Sequence, residues 1–256
     1  MWVKNRAKEF VIGTPFEGAA RSTYNWIWRK TSPSARVNAR YNRQTTAVMK
    51  RTLSKASNCV DVGSSAGLLL REMLRFAPNG THFAFEPRIQ AYQELVGSFP
   101  TVNLYNLALS DTKGEASFHH VISSPDYSGF RRREYARRHE TIEVVKVKTN
   151  LLDNIIPENL PVHFIKIDVE GAELQVLRGA VNTIRVNRPM IVFEYGLGAS
   201  DYYCTTPEEV YDLLAAQCNL RISLMESWLK GGNPLSQKEF ANQYYRRTNY
   251  MFVAHA

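Results

Sequence analysis

At 256 residues, with 44% hydrophobic and 22% charged content, the chain can bury one sizeable α/β core and is too short for two full domains of ordinary size. No apolar run approaches the roughly 18 residues that a spanning helix needs, and Lys4, Arg6 and Lys8 lead into no apolar signal-peptide core, so a cytoplasmic protein is expected. Cys59, Cys204 and Cys218 lack any Cys-x-x-Cys pairing, which argues against a disulfide frame or zinc site and for reduced thiols.

The formal net charge of +8 is unevenly spread. Residues 1–58 hold 12 Lys/Arg against Glu9 and Glu17, whereas residues 59–256 hold 20 against 22 Asp/Glu. Residues 1–57 are therefore read as a basic, helical N-terminal extension ahead of an α/β domain over 58–256. Trp2, Tyr24, Trp26, Trp28 and Tyr41 are interleaved with these charges. Such a mixture suits an anionic membrane surface, an acidic glycan or a nucleic acid. It equally suits an amphipathic helix that buries Tyr24 and Trp28 at i,i+4 spacing and leaves its charges in water.

From Asn58 onward strand and helix patterns alternate, the signature of a mostly parallel sheet covered on both faces. Cys59 to Val62 reads as the first strand and Ala66 to Phe76 as its helix, stopped by Pro78-Asn79-Gly80. His82 to Phe85 is the second strand, Arg88 to Val96 a helix, and Val102 to Leu107 the third strand. Glu115 to Val121 and Thr141 to Val147 then read as an inserted hairpin or lid. Between them lie arginines 131, 132, 133, 137 and 138. Val162 to Ile167 is strand four, Gly171 to Arg178 a helix, and Met190 to Tyr195 strand five. A helix from Pro207 to Leu214 and strands over Leu220 to Met225 and Tyr250 to His255 complete a seven-stranded sheet.

In open α/β sheets ligands sit outside the carboxyl ends of the strands, so the residues leaving strands one, two and four carry the chemistry. Strand one delivers Asp61-Val62-Gly63-Ser64-Ser65-Ala66-Gly67. Gly63 and Gly67 remove side chains where a cofactor must approach the backbone, with Ser64 and Ser65 between them. That much also suits a dinucleotide. The third glycine of G-x-G-x-x-G is absent, however, and the Asp61 carboxylate repels a pyrophosphate while attracting the ammonium and sulfonium of S-adenosylmethionine. Glu86 closes strand two where a ribose would present its hydroxyls. Asn106, Ala108 and Ser110, after strand three, are placed nearest the adenine.

Strand four leads into Lys166-Ile167-Asp168-Val169-Glu170-Gly171-Ala172-Glu173. Glu170 and Glu173 could simply favour a helix N-terminus. Asp168, with Glu194 at the end of strand five, could instead orient or deprotonate an acceptor hydroxyl, or help hold a divalent cation that acidifies it. Asp168, Glu170 and Glu194 are the catalytic candidates; a divalent metal is possible, and no metal ligand is assigned. His119 and His120 point to opposite faces of one strand and are read as structural.

The run Phe164 to Glu173, followed by Val176-Leu177-Arg178-Gly179-Ala180 and Pro189 to Glu194, closely resembles the FkbM family of methyltransferases. Val60-Asp61-Val62-Gly63 with Gly67, Phe85-Glu86-Pro87, Asn106 to Asp111 with Gly114, and Leu152-Asp153 agree with it. The resemblance covers about residues 58–196. It implies a class I Rossmann-like methyltransferase fold, S-adenosylmethionine bound by the first two turns, and O-methylation of sugars or polyketide-type natural products. Residues 1–57 and 131–138 lie outside it. Two other readings keep the fold. In one the substrate is a nucleic acid, motivated by the basic segment but without an Asn-Pro-Pro-Tyr-type motif. In the other, the domain is a non-catalytic module docked peripherally on a membrane or partner.

Overall fold

The computed structural model describes residues 33–134 and 140–256. Trp2, Tyr24, Trp26, Trp28, Arg137 and Arg138, singled out above, lie outside the described residues. The chain divides into two compact units, 1–44 and 45–256. Helix α1 (Pro33–Thr52) contributes to both. Its buried positions Tyr41, Thr45, Val48 and Met49 follow helical spacing, while Arg40, Arg43, Lys50 and Arg51 are exposed. Within the larger unit Thr45 donates to the Met225 sulfur at 3.6 Å, and Arg51 donates to the Leu229 carbonyl at 2.8 Å.

The larger unit is built on a seven-stranded sheet of β1 (Cys59–Val62), β2 (His82–Phe85), β3 (Asn103–Tyr105), β7 (Phe164–Ile167), β8 (Met190–Glu194), β9 (Arg221–Leu224) and β10 (Met251–His255). Its order is β3-β2-β1-β7-β8-β10-β9. All are parallel except β10, which slots antiparallel between β8 and β9. The central strands are buried at every position, as expected when helices cover both faces. An acidic and a basic residue interrupt this apolar pattern. Asp61 in β1 and Lys166 in β7 face each other in register.

Helices α2 (Leu68–Phe76), α3 (Ile89–Ser98), α4 (Glu173–Arg178), α5 (Val181–Asn187), α6 (Pro207–Asp212), α7 (Met225–Leu229) and α8 (Gln237–Tyr245) pack around the sheet. Helix α2 buries Leu70 and Met73 and ends where the Ala77 amide donates to the Met73 carbonyl, just before Pro78. Helix α6 continues through Gln217 as a π-helical turn. Helices α5, α7 and α8 were not anticipated, although Ser236 and Glu239 form a capping box at the start of α8. Phe193, Phe240 and Phe252 form an aromatic knot that joins α8 to the sheet, with Phe240 and Phe252 ring centroids 4.7 Å apart.

The expected third strand is shorter, ending at Tyr105. Asn106 turns the chain there by donating to the carbonyls of Glu86 and Pro87 at 2.9 and 3.0 Å. The inserted hairpin proves to be a small second sheet. Strands β5 (Gly114–Val121) and β6 (Ile142–Asn150) pair antiparallel, and β4 (Ala108–Leu109) adds parallel to β6. His119 and His120 lie on β5, consistent with a structural reading.

Two stability predictions follow from this packing. Phe252→Ala, at a side chain with 0% exposure, should cost about 3–5 kcal/mol in urea unfolding. Ser236→Ala should cost about 1 kcal/mol through loss of its cap.

Candidate active site

Strands β1, β2, β7 and β8 end at one level. Val62 pairs with Phe85 and Ile167, and Ile167 with Phe193, so Gly63, Glu86, Asp168 and Glu194 stand in a row along the carboxyl edge. From β1 the chain proceeds outward to β2 and β3, then crosses to β7 on the other side. The reversal opens a crevice between β1 and β7. Gly63 is required there. Its φ is +77°, and a Cβ would stand 2.0 Å from the Asp168 carbonyl oxygen. Gly67 (φ +71°) faces the Phe99 ring in the same way.

The amides of the turn are taken up by the protein. Gly63 and Ser64 donate to the Phe85 carbonyl at 3.0 and 3.2 Å, and Gly67 donates to the Ser64 carbonyl at 2.7 Å. Ser65 donates its amide to Glu86 at 2.9 Å. These four amides are thus engaged within the protein. Asp61 is buried, and its Oδ1 accepts no hydrogen bond, its ion-pair partner Lys166 standing 3.8 Å away. An acceptor with hydrogen-bonding capacity to spare suits a ligand carrying cationic or N–H groups.

Lys166, which the sequence reading passed over, organises the charges. Its Nζ donates to the Gly63 carbonyl at 3.0 Å and lies 3.4 Å from Asp168 and 3.8 Å from Asp61. Burial works against its charge, but the two aspartates outweigh burial and hold its pKa above the ordinary value. Burial likewise pushes the Asp61 carboxyl up, opposed by Lys166. For Asp168 burial is overcome by Lys166 and by a hydrogen bond from Glu194, so its pKa falls below normal. Glu194 is driven the other way by burial and by the charges of Asp168 and Glu170. The surroundings thus push the two carboxyls apart, Asp168 toward its charged form and Glu194 toward its protonated one.

Glu170 has a left-handed backbone (φ +59°) and pairs with Arg133 from the insert. Its pKa is raised to about 8, burial being the largest cause and the Asp168 charge adding to it. Oxygens of Asp168, Glu170 and Glu194 lie within 4.8 Å of one another, a spacing that a divalent cation could bridge. In this structure Lys166 and Arg133 stand against these carboxylates. The insert is docked by further bonds: the Phe130 and Glu134 amides donate to the hydroxyls of Tyr203 and Tyr202 at 2.9 and 3.0 Å. Arg133 also stacks over Tyr127. The β4 end of the second sheet is occupied with its own backbone. Ala108 is buried, and Ser110 donates its amide to Asn150 at 2.9 Å and its hydroxyl to Asp111 at 3.2 Å.

Glu173, 1% exposed, accepts from the amides of Val169 and Gly171 at 3.1 Å each and fixes the β7 to α4 turn. Burial lifts its pKa from the ordinary 4.5 to about 7. A carboxyl raised on folding stabilises below its unfolded value and loses that contribution as pH rises through the folded one. The loss between pH 4.5 and 7 should be on the order of 3 kcal/mol. Glu173→Gln keeps an oxygen for both amides, so its stability relative to wild type should rise by about that much between urea melts at pH 5 and pH 8. An unchanged difference would contradict the buried carboxyl as the cause.

Residues 61–222 match the family described as the methyltransferase FkbM domain. The chain is 28% identical over 151 residues to the 2-O-methyltransferase NoeI of Sinorhizobium fredii, covering 53% of this chain and 62% of NoeI, so it spans less than two thirds of that relative. The crystal structure of an FkbM methyltransferase from Methylobacillus flagellatus aligns with 80% of this chain and 44% of its own, at a TM-score of 0.49 and 15% identity. The plantazolicin methyltransferase BpumL in complex with SAH aligns over 98% of this chain and 93% of its own, at a TM-score of 0.43 and 11% identity. With the family match running from Asp61 through β7 and β8 into β9, the chain belongs to the FkbM family of S-adenosylmethionine-dependent methyltransferases.

Proposed function

We propose that the protein is an O-methyltransferase acting on a hydroxyl of a glycan, glycolipid or secondary metabolite. The observation that carries this reading is the cluster of Asp168, Glu170 and Glu194 on the carboxyl edge, their oxygens within 4.8 Å of one another and Lys166 3.4 Å from Asp168, next to the turn of Asp61 and Gly63. S-adenosylmethionine supplies an electrophilic methyl group when bound. The turn residues Asp61, Gly63, Ser64, Ser65 and Gly67 would hold its charged end, and Glu86 its ribose. Asn106 braces the Glu86 carbonyl from the adenine side.

The chain's own groups then manage the proton. Asp168 accepts hydrogen from an acceptor hydroxyl and orients its oxygen, and Lys166 keeps Asp168 charged so that it can do so. The Arg133 to Glu170 bridge and the bond from the Phe130 amide to Tyr203 dock the insert beside this edge. The similarity to NoeI, which is named a 2-O-methyltransferase, supports oxygen as the acceptor atom.

The test is methyl transfer from labelled S-adenosylmethionine to a panel of free sugars, lipid-linked glycans and hydroxylated metabolites, with and without magnesium. A methyl ether on one acceptor class is expected, and Asp168→Asn should lower kcat about 10²- to 10⁴-fold. Transfer only to nitrogen or carbon acceptors, or full activity in Asp168→Asn, would defeat the proposal.

A further inference from the structure

Glu86 offers the acceptor positions assigned above to the ribose hydroxyls, and the protein itself fills them. Oε1 accepts from the Arg88 amide at 2.9 Å and from Arg88 Nε at 2.8 Å. Oε2 accepts from the Ser65 amide at 2.9 Å and from Arg88 Nη2 at 3.2 Å. A carboxylate has about four lone-pair sites, and four donors occupy them. The two amide bonds belong to the fixed backbone on either side of Glu86. The other two form a guanidinium fork laid across both oxygens, two donors against two acceptors, which is also how a vicinal diol meets a carboxylate.

We propose that the Arg88 guanidinium is an internal stand-in for the ribose diol, seated on Glu86 and displaced when S-adenosylmethionine binds. This rests on the assignment of Glu86 to the ribose. The pairing has a physical use between turnovers. With side chains 11% and 3% exposed, Arg88 and Glu86 would each be costly to leave unpaired, and the fork satisfies both. The cost falls on cofactor affinity, because only molecules with the fork open can accept the ribose. It also speeds departure of the spent cofactor, since the guanidinium recaptures the carboxylate. Displacement keeps the guanidinium in acidic surroundings. The charges of Asp126 and Glu170 both act on Arg88, and Asp126 lies 3.5 Å from the Ser65 hydroxyl on the same turn.

Calorimetric titration of S-adenosylhomocysteine separates the possibilities. Arg88→Gln and Arg88→Ala should each bind about three- to tenfold more tightly than wild type, because the competitor is gone. Glu86→Ala should bind at least about tenfold more weakly. The double variant Arg88→Gln with Glu86→Ala should bind no more tightly than Glu86→Ala alone, since Arg88 competes only through that carboxylate. Weaker binding by both Arg88 variants, or a gain that persists in the double variant, overturns the stand-in. Unchanged affinity in Glu86→Ala instead removes the ribose assignment beneath it.

Discussion

A lysine buried between two aspartates is the constraint around which the site is arranged. Lys166 occupies a position in β7 that would otherwise be apolar, at 5% exposure, and an unpaired ammonium there would be strongly disfavoured. It is tolerated because Asp61 faces it across the strand register, Asp168 follows two residues later, and the Gly63 carbonyl accepts a hydrogen bond from it. Each of these partners belongs to the wall of the crevice. The requirement to neutralise one buried charge therefore ties the β1 turn to the end of β7.

From that anchor the remaining charges fall into order. Asp168, beside Lys166, has its pKa held below the ordinary value, whereas burial and the neighbouring carboxylates raise that of Glu194, next along the edge. Glu170 takes its partner from the insert rather than the sheet. A cation of the sheet thus serves Asp168, and one carried by an added segment serves Glu170.

The sheet was legible because its strands announce themselves. Cys59–Val62 and His82–Phe85 are short apolar runs bounded by turn residues, and the structure has the same limits. Asp61, Glu86, Asp168 and Glu194 were legible because strand ends are where α/β sheets bind ligands. Less was visible where tertiary pairing decides. Nothing local tells that Asn106 caps β2 and cuts the third strand short, or that Ala108–Leu109 leaves the main sheet for β6. Lys166 was readable as a misfit in Phe-Ile-Lys-Ile, yet its meaning depends on a neighbour more than a hundred residues away. Arg88 carries no signal at all beyond standing two residues from Glu86. The capping box at Ser236 and Glu239 was a local signal for α8 that composition alone obscured.

The antiparallel strand β10 has a consequence for how the molecule is made. It lies between β8 and β9 although both precede it in the chain, and its Met251 is the register partner of Glu194. Until it inserts, β8 presents an unpaired edge with a row of open amides and carbonyls, and the Phe193 face lacks Phe252. Edges of that kind attract other strands, so the nascent chain is most prone to self-association just before this strand docks. Closure of the sheet by β10 also seats Met251 against Glu194, at the end of β8 where the carboxylates stand.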